Sequence, residues 1–383
     1  MRVISEGASA PEHDFVTLSF VQSSLPLERP KRLYPIYVRE GRSRTKYKVG
    51  YINAKGDIVV PPVYQEGMPF YNGHAAVQLA DRWGTIDTNG QLIIQPTFSG
   101  PLTFKEGLSE FSGSGYKRGV IDTLGNIIIF PRPGYISHFS DGLACFRDRD
   151  VSKSDALYGF VDRTGNQVIP PFFEDARGFS EGLAAVKMNG KWGYIAPNGS
   201  IAIPFEFVCE RGMAGPFREG LARVARNGRW GHINKDGSFV VEPRFDMAYE
   251  FSEGLAAVEL NKRRGYINRL GEFLMKPEFH SADTFSCGLG KVDTGSGKAH
   301  NSIAEACETG FVNHNGEFEI PPRFFSAGRF RGGVCLVETE KKIGYINRRG
   351  EFIWMGGLVE LGSLDPHHIL PPEEEPWRRD DEV

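Results

Sequence analysis

The sequence predicts an all-β repeat protein: about nine three-stranded antiparallel meanders in tandem, stacked as an open, curved or superhelical array. Three observations predict it. A unit of about thirty-four residues recurs nine times, its register glycine falling at Gly50, Gly84, Gly119, Gly159, Gly193, Gly231, Gly265, Gly310 and Gly344, in steps of 34, 35, 40, 34, 38, 34, 45 and 34. Each unit holds three short apolar runs of strand character. A second glycine stands in every unit, mostly three residues past an Asn or Asp, at Gly56, Gly90, Gly125, Gly165, Gly199, Gly237, Gly271, Gly316 and Gly350.

The first run alternates small and larger apolar residues, as in Leu143-Ala144-Cys145-Phe146 and Leu255-Ala256-Ala257-Val258. That pattern suits a half-buried strand. Asn189-Gly190 and Asn227-Gly228 join it to the second run, and Asn-Gly takes the positive φ angles that match hairpin twist. The second run is typified by Gly265-Tyr266-Ile267-Asn268. The recurrent glycine then closes the next hairpin, since only glycine enters the left-handed region without a Cβ penalty. The third run ends in proline, as in Val168-Ile169-Pro170, because proline cannot donate to a ladder. A connector follows, Pro171-Phe172-Phe173-Glu174-Asp175-Ala176 in one unit, and it closes with Phe179-Ser180-Glu181-Gly182. Its two aromatics are expected to plug the space between adjacent meanders.

Lys191-Trp192-Gly193 and Arg229-Trp230-Gly231, each followed by an aromatic-Ile pair or its variant and the downstream glycine, resemble the WG-repeat (KWG-repeat) family of bacterial β-repeat proteins. The resemblance spans roughly residues 34–355. Tryptophan is replaced by Val49, Arg118, Tyr158, Arg264, Thr309 and Ile343 in other units, so it is not obligatory to the fold. The resemblance implies a β-rich repeat structure and a binding role. It implies no activity and no catalytic residues.

A closed, propeller-like ring is the alternative architecture. Propellers typically hold about four to eight blades of four strands. Nine units of three strands fit that poorly, which favours the open array. A ring would need a terminal strand to complete one sheet, and Asp14–Gln22 offers one. Residues 1–33 read as an N-terminal lead or cap, 34–356 as the array, and 357–383 as an acidic, disordered tail ending in Asp380-Asp381-Glu382.

Composition narrows the function. The net charge of −3 gives no global pull toward nucleic acid or acidic membranes. The five cysteines, Cys145, Cys209, Cys287, Cys307 and Cys335, are scattered and odd in number, which points to reduced thiols. No signal-peptide-like start or membrane-length apolar run is present, so a cytoplasmic protein is expected.

Tests for chemistry fail one by one. Thr294-Gly295-Ser296-Gly297-Lys298-Ala299 is glycine-rich, but Gly290 lies too early for a P-loop and Ala299 stands where a hydroxyl should hold the metal. Asp365, His367 and His368 lie in the tail with no rigid partner, so no metal or cofactor is expected. Ser-Glu-Gly recurs, at Ser180 and Ser252. A catalytic triad would be unique, so Glu106, Glu181, Glu219 and Glu253 are read as shaping a turn. One pattern survives. The first hairpin tips are basic, from Arg42, Arg44, Lys46 and Lys48 through Arg82, Lys117 and Arg118 to Lys187 and Arg226. Lys191, Arg229, Arg263, Arg264, Lys341 and Lys342 are the candidate binding residues of this rim. It could grip an acidic protein, a polyanion or the acidic tail, although tips are also charged to block edge pairing. The insertions Asp148–Leu157, Cys209–Gly215 and Asp293–Glu308 are a second place for specificity.

The expectation is therefore a non-enzymatic scaffold that binds another protein, with nucleic acid and membrane disfavoured. A polyanion or glycan binder using the basic rim is the first alternative. An enzyme on a propeller-like scaffold, with a unique acid or histidine cluster in a central funnel, is the second.

Overall fold

The computed structural model describes residues 32–39, 47–113, 117–147, 157–210, 212–295, 309–339 and 342–357. Among them, all helices and strands are strands: thirty-three, in nine antiparallel sheets of consecutive strands. In chain order the sheets span 34–64, 66–98, 108–133, 135–173, 175–207, 222–245, 247–279, 281–324 and 326–357, numbered here 1 to 9. The lead 1–31 and the tail 358–383 lie outside the described residues, as does Asp14–Gln22.

Sheet 5 shows the build. Ala184–Met188, Lys191–Ile195 and Ile201–Phe207 form the expected meander. A fourth strand of two residues, Asp175–Ala176, pairs with the first of these. Such connector strands complete sheets 2, 4, 5, 7, 8 and 9, while sheets 1, 3 and 6 have three strands. The register glycine is explained by close approach. A methyl on Gly193 would sit 2.8 Å from the Ile203 carbonyl oxygen, where the third strand bulges across the second. The turn glycines all have positive φ, 83° at Gly199.

The sheets pack face to face, and the apolar core is divided into nine clusters, each straddling two neighbouring sheets. Between sheets 5 and 6, for example, Trp192, Tyr194, Ile203 and Phe207 meet Ala214, Phe217, Val224 and Ile233. Nine sheets in an open row would have eight interfaces. The ninth joins the two ends: Val334 and Tyr345 of sheet 9 bury against Tyr34, Ile36 and Ile52 of sheet 1. Tyr345 Oη donates to the Pro35 carbonyl at 2.8 Å, and Tyr34 Oη to the Arg331 carbonyl at 2.9 Å.

The array is thus a closed nine-bladed ring of the propeller type, and the expected open solenoid is corrected. The physical reason is that an open stack leaves one apolar face bare at each end, whereas closure covers both. Closure uses face packing; no described sheet mixes strands from the two ends of the chain. No helix among the described residues is long and apolar enough to cross a membrane, which leaves strands unaddressed.

Candidate functional site

Each sheet has two edges. One is the third strand, whose alternate residues are exposed, as at Phe172 (60%) and Ile201 (59%). The other is the connector. In a closed ring the exposed edge faces outward and the connector edge faces the axis.

The axial edge is organised by the connector phenylalanine. Phe179 meets Phe160 of the preceding sheet edge-on with ring centres 5.0 Å apart, and Phe217 meets Tyr194 at 4.9 Å. The same tyrosine donates to the carbonyl two residues before the phenylalanine: Tyr194 to Gly215 at 2.8 Å, Tyr266 to Asp283 at 2.6 Å. His232 replaces tyrosine in sheet 6, its Nε2 lying 2.8 Å from the Tyr249 carbonyl. A carbonyl only accepts, so Nε2 carries the proton. Burial pushes the His232 pKa down to about 4, so the ring is neutral at pH 7.

The residue before this phenylalanine varies, while serine follows it in sheets 4, 5, 7 and 8. The one before it is His138, Gly178, Pro216, Glu250, Thr284 or Arg329 in sheets 4 to 9. In sheets 6 to 9 two of them, Glu250 and Arg329, join Asp283 of the connector and Arg223 and Lys291 of the first strands in a charged arc. Arg223 Nε donates to Glu250 Oε1 at 2.8 Å, and its guanidinium lies 5.2 Å from the Trp230 ring centre. Lys291 Nζ is 2.7 Å from Asp283 Oδ2, and Arg329 approaches the other oxygen at 3.6 Å. Burial works to raise both carboxyl pKa values, but Arg223 on Glu250, and Lys291 with Arg329 on Asp283, outweigh it, so both fall below the usual range.

Sheets 3 and 4 hold a different pair. Glu110 Oε1 and His138 Nε2 are 3.9 Å apart, beyond a hydrogen bond. Burial pushes Glu110 up to about 7, against the pull of Arg118 and Lys105, and pushes His138 down to about 4 with help from Lys105. Glu110 Oε2 and His138 Nδ1 are buried with no partner. A carboxyl titrating near neutrality can take or give a proton at pH 7.

The Ser-Glu-Gly turns lie at one end of the ring and join the sheets. Glu181 has φ 53°, and its carboxylate accepts the Gly220 N–H of the next sheet at 3.0 Å. Glu106, Glu219 and Glu253 do the same to Gly142, Gly254 and Gly288, at 3.1, 3.0 and 2.9 Å. Ser180 is 5% exposed and donates to the Phe217 carbonyl at 2.7 Å. Gly178-Phe179-Ser180-Glu181-Gly182 has the spacing of a nucleophile elbow, but it sits in a tight turn between strands with its hydroxyl occupied.

The fully described first-hairpin tips, in sheets 2, 5, 6 and 7, lie at the opposite end. Lys191 and Lys342 are exposed. Arg229 pairs with Asp246, and Arg263 donates to the Gly295 carbonyl at 3.2 Å. Arg264 reaches Glu259 at 3.1 Å and covers the Tyr249 ring at 4.6 Å. The ring therefore places these residues on one rim without converging them, and ties Arg229 and Arg264 to carboxylates. Lys341, with Arg42, Arg44 and Lys46, lies outside the described residues. So do 148–156 and 296–308 of the insertions, most of the glycine-rich stretch, and His367 and His368. The third insertion, Cys209–Gly215, is described apart from 211 and leads into the axial edge of sheet 6. Among the described residues, no group of three or more His, Cys, Asp or Glu is arranged to hold a metal ion, and Cys145, Cys209 and Cys335 are free thiols.

Sequence reasoning missed the axial arc, because pairing Arg223 with Glu250 requires knowing how adjacent units face each other. One signal was available: the position before the recurrent connector phenylalanine takes six residue types in eight units, from Pro69 and Thr103 to Arg329.

The repeat family described as WG containing repeat matches residues 50–83, 83–112, 119–150, 158–192, 192–230, 230–263, 265–296 and 310–342, more than half of the chain. No curated protein matches the sequence. Solved structures with a similar arrangement include the computationally designed Ika8 protein, at TM-score 0.44 and 10% identity, covering 76% of this chain and 94% of that one. A eukaryotic initiation factor follows at 0.43 and 13%, covering 86% and 85%. BamB from Moraxella catarrhalis has 0.39 and 8%, covering 69% and 94%.

Proposed function

The chain belongs to the WG-containing-repeat family, and from that premise we propose that it is a non-enzymatic binding scaffold whose partner is another protein. The observation that supports this reading is a division of labour within the repeat. The recurrent residues, the aromatics, turn glycines and Ser-Glu-Gly turns, are spent on joining sheets. The position before the connector phenylalanine varies, and in sheets 6 to 9 two such residues, Glu250 and Arg329, join Asp283 of the connector and Arg223 and Lys291 of the first strands in a half-buried arc. A surface whose charged positions fall in only some units of a uniform frame is suited to recognising one partner. A cytoplasmic location goes with this reading, supported by the free thiols.

The test is affinity capture from native lysate by the full chain, after nuclease treatment, read by mass spectrometry. One stoichiometric protein, retained by wild type and lost from the Arg329→Gln variant, is expected. Recovery of nucleic acid alone, or equal capture by both chains, would sink the reading.

The enzyme reading stands second because Glu110 titrates near neutrality at the axial edge beside His138. A bell-shaped pH dependence of any turnover, abolished in Glu110→Gln, would support it over the scaffold. The polyanion reading is weakened by the carboxylates that already pair Arg229 and Arg264.

A further inference from the structure

We propose that the ring pairs with a second copy of itself through the outer strand of sheet 9, Phe352–Gly357 running antiparallel to the same strand of the other copy with Met355 opposite Met355. Pairing there leaves the axial edge of both rings uncovered, so the inference goes beyond the scaffold reading and does not rest on it.

The first support is the loss of two guards. An outer strand presents a row of backbone N–H and C=O groups that invites a further strand, and proline or a bulge blocks that approach. The outer strands of sheets 1 to 8 all carry proline, from Pro61 and Pro62 in sheet 1 to Pro321 and Pro322 in sheet 8. Each of them also shifts register twice against its middle strand. Phe352–Gly357 has no proline and shifts once, so Trp354, Met355, Gly356 and Gly357 face Tyr345, Gly344, Ile343 and Lys342 in unbroken register. Among the described residues this strand is terminal in its sheet.

The second support is that the strand complements itself. Two identical antiparallel strands are related by a two-fold axis, which passes between one residue and its own copy. About Met355, Trp354 comes opposite Gly356 and Ile353 opposite Gly357. A methyl on Gly356 would collide with the Trp354 ring of its own strand, so the indole already lies along the bare backbone there. The two glycines therefore leave room for the two indoles side by side, an aromatic covering glycine on each strand. Met355 is 52% exposed, and its flexible thioether can pack against its own copy. The strand carries no charge, so no like charges meet across the axis. A junction confined to 353–357 covers less than the roughly 800 Å² per partner of a standard interface, so a weak, concentration-dependent dimer is expected.

The test is sedimentation velocity of the full chain over rising concentration. A single monomer–dimer equilibrium is expected, weakened at least about tenfold in Met355→Lys, which sets two lysines opposite each other. Ile201→Lys, at a 59% exposed position on the outer strand of sheet 5, should associate like wild type. A monomer at every concentration, a dimer unmoved by Met355→Lys, or growth past the dimer would overturn the proposal. A second measurement leaves the sequence intact. Amide exchange within 353–357 should slow as the wild-type concentration rises, while exchange within 201–207 stays constant. Slow exchange at 353–357 that ignores concentration would mean that a segment of the same chain covers the edge. Slowing that appears only with a captured protein would mean that a strand of that protein covers it. Either result would overturn the second-copy pairing, and neither bears on whether the axial arc binds a partner.

Discussion

At the scale of single residues, two kinds of position carry the argument. Gly199 turns the second hairpin of sheet 5 with φ 83° and stands over Ile169 of the sheet before it, where an added methyl would sit 3.6 Å from the isoleucine Cγ1. A branched side chain forced to positive φ costs about 1–2 kcal/mol. Gly199→Val should lower the unfolding free energy by about that amount in urea titration; an unchanged midpoint would show that the turn tolerates a Cβ. His232 is the second kind. Its folded pKa is depressed to about 4 from 6.5, so protonation opposes folding. Its stabilising share is present above pH 6.5 and is lost as the pH falls toward 4. Glu110 has the opposite sign. Raised from 4.5 to about 7, it favours the folded state at low pH, and that share is lost as the pH rises through 7. The His232→Tyr variant restores the residue found at Tyr194 and Tyr266. It should lose less melting temperature than wild type between pH 6.5 and 4.5, and Glu110→Gln less between pH 5 and 8. Parallel curves for variant and wild type would contradict the assignments.

At the scale of elements, the joints between sheets are recurrent hydrogen bonds, although the full Ser-Glu-Gly sequence stands only at 180–182 and 252–254. The Ser-Glu-Gly turn offers a hydroxyl to one carbonyl and a carboxylate to one N–H of the next sheet, and Lys235 reaches the Glu181 carboxylate at 3.2 Å. Ser180→Ala removes a buried donor and leaves the Phe217 carbonyl unpaired, a loss of about 1–3 kcal/mol. Glu181→Gln keeps an acceptor for Gly220 and should cost under about 1 kcal/mol, since the lysine partner is nearly half exposed. The order of these two losses, measured by chemical denaturation, checks that geometry rather than charge holds the joint. The three runs of each meander were legible in the sequence because their apolar spacing is local. The two-residue connector strand was not. Asp175–Ala176 has no periodicity of its own and becomes a strand only by pairing with Val186 and Lys187.

At the scale of the whole molecule, closure is the property that matters. Sheet 1 and sheet 9 cover each other's apolar faces, and a methyl at Gly56 would collide with the Ile353 carbonyl as the other turn glycines lean on the sheet before them. A chain ending after sheet 8 would expose Phe311, Ile320 and Phe324 together with Ile36 and Ile52. It should self-associate, as seen by light scattering after size exclusion, where the full ring elutes with these faces covered. A monodisperse truncated chain would argue that closure contributes little.

The sequence by itself determined the unit, its nine copies, its turns and the family, because each depends on contacts within about thirty-four residues or on glycine's freedom from a Cβ. It read the acids of the Ser-Glu-Gly motif as structural for the same reason: they recur, and recurrence marks geometry. It favoured the row over the ring, and the structure overturned that choice. That choice depends on the small rotation between neighbouring sheets, summed over nine, which no single unit encodes in its pattern. Only the tertiary structure brought Tyr345 to Pro35, 310 positions apart, and set Arg223 against Glu250 and Arg329 against Asp283. Those contacts are made by side chains that the repeat leaves free to vary, and their partners are chosen by closure and by the facing of adjacent sheets.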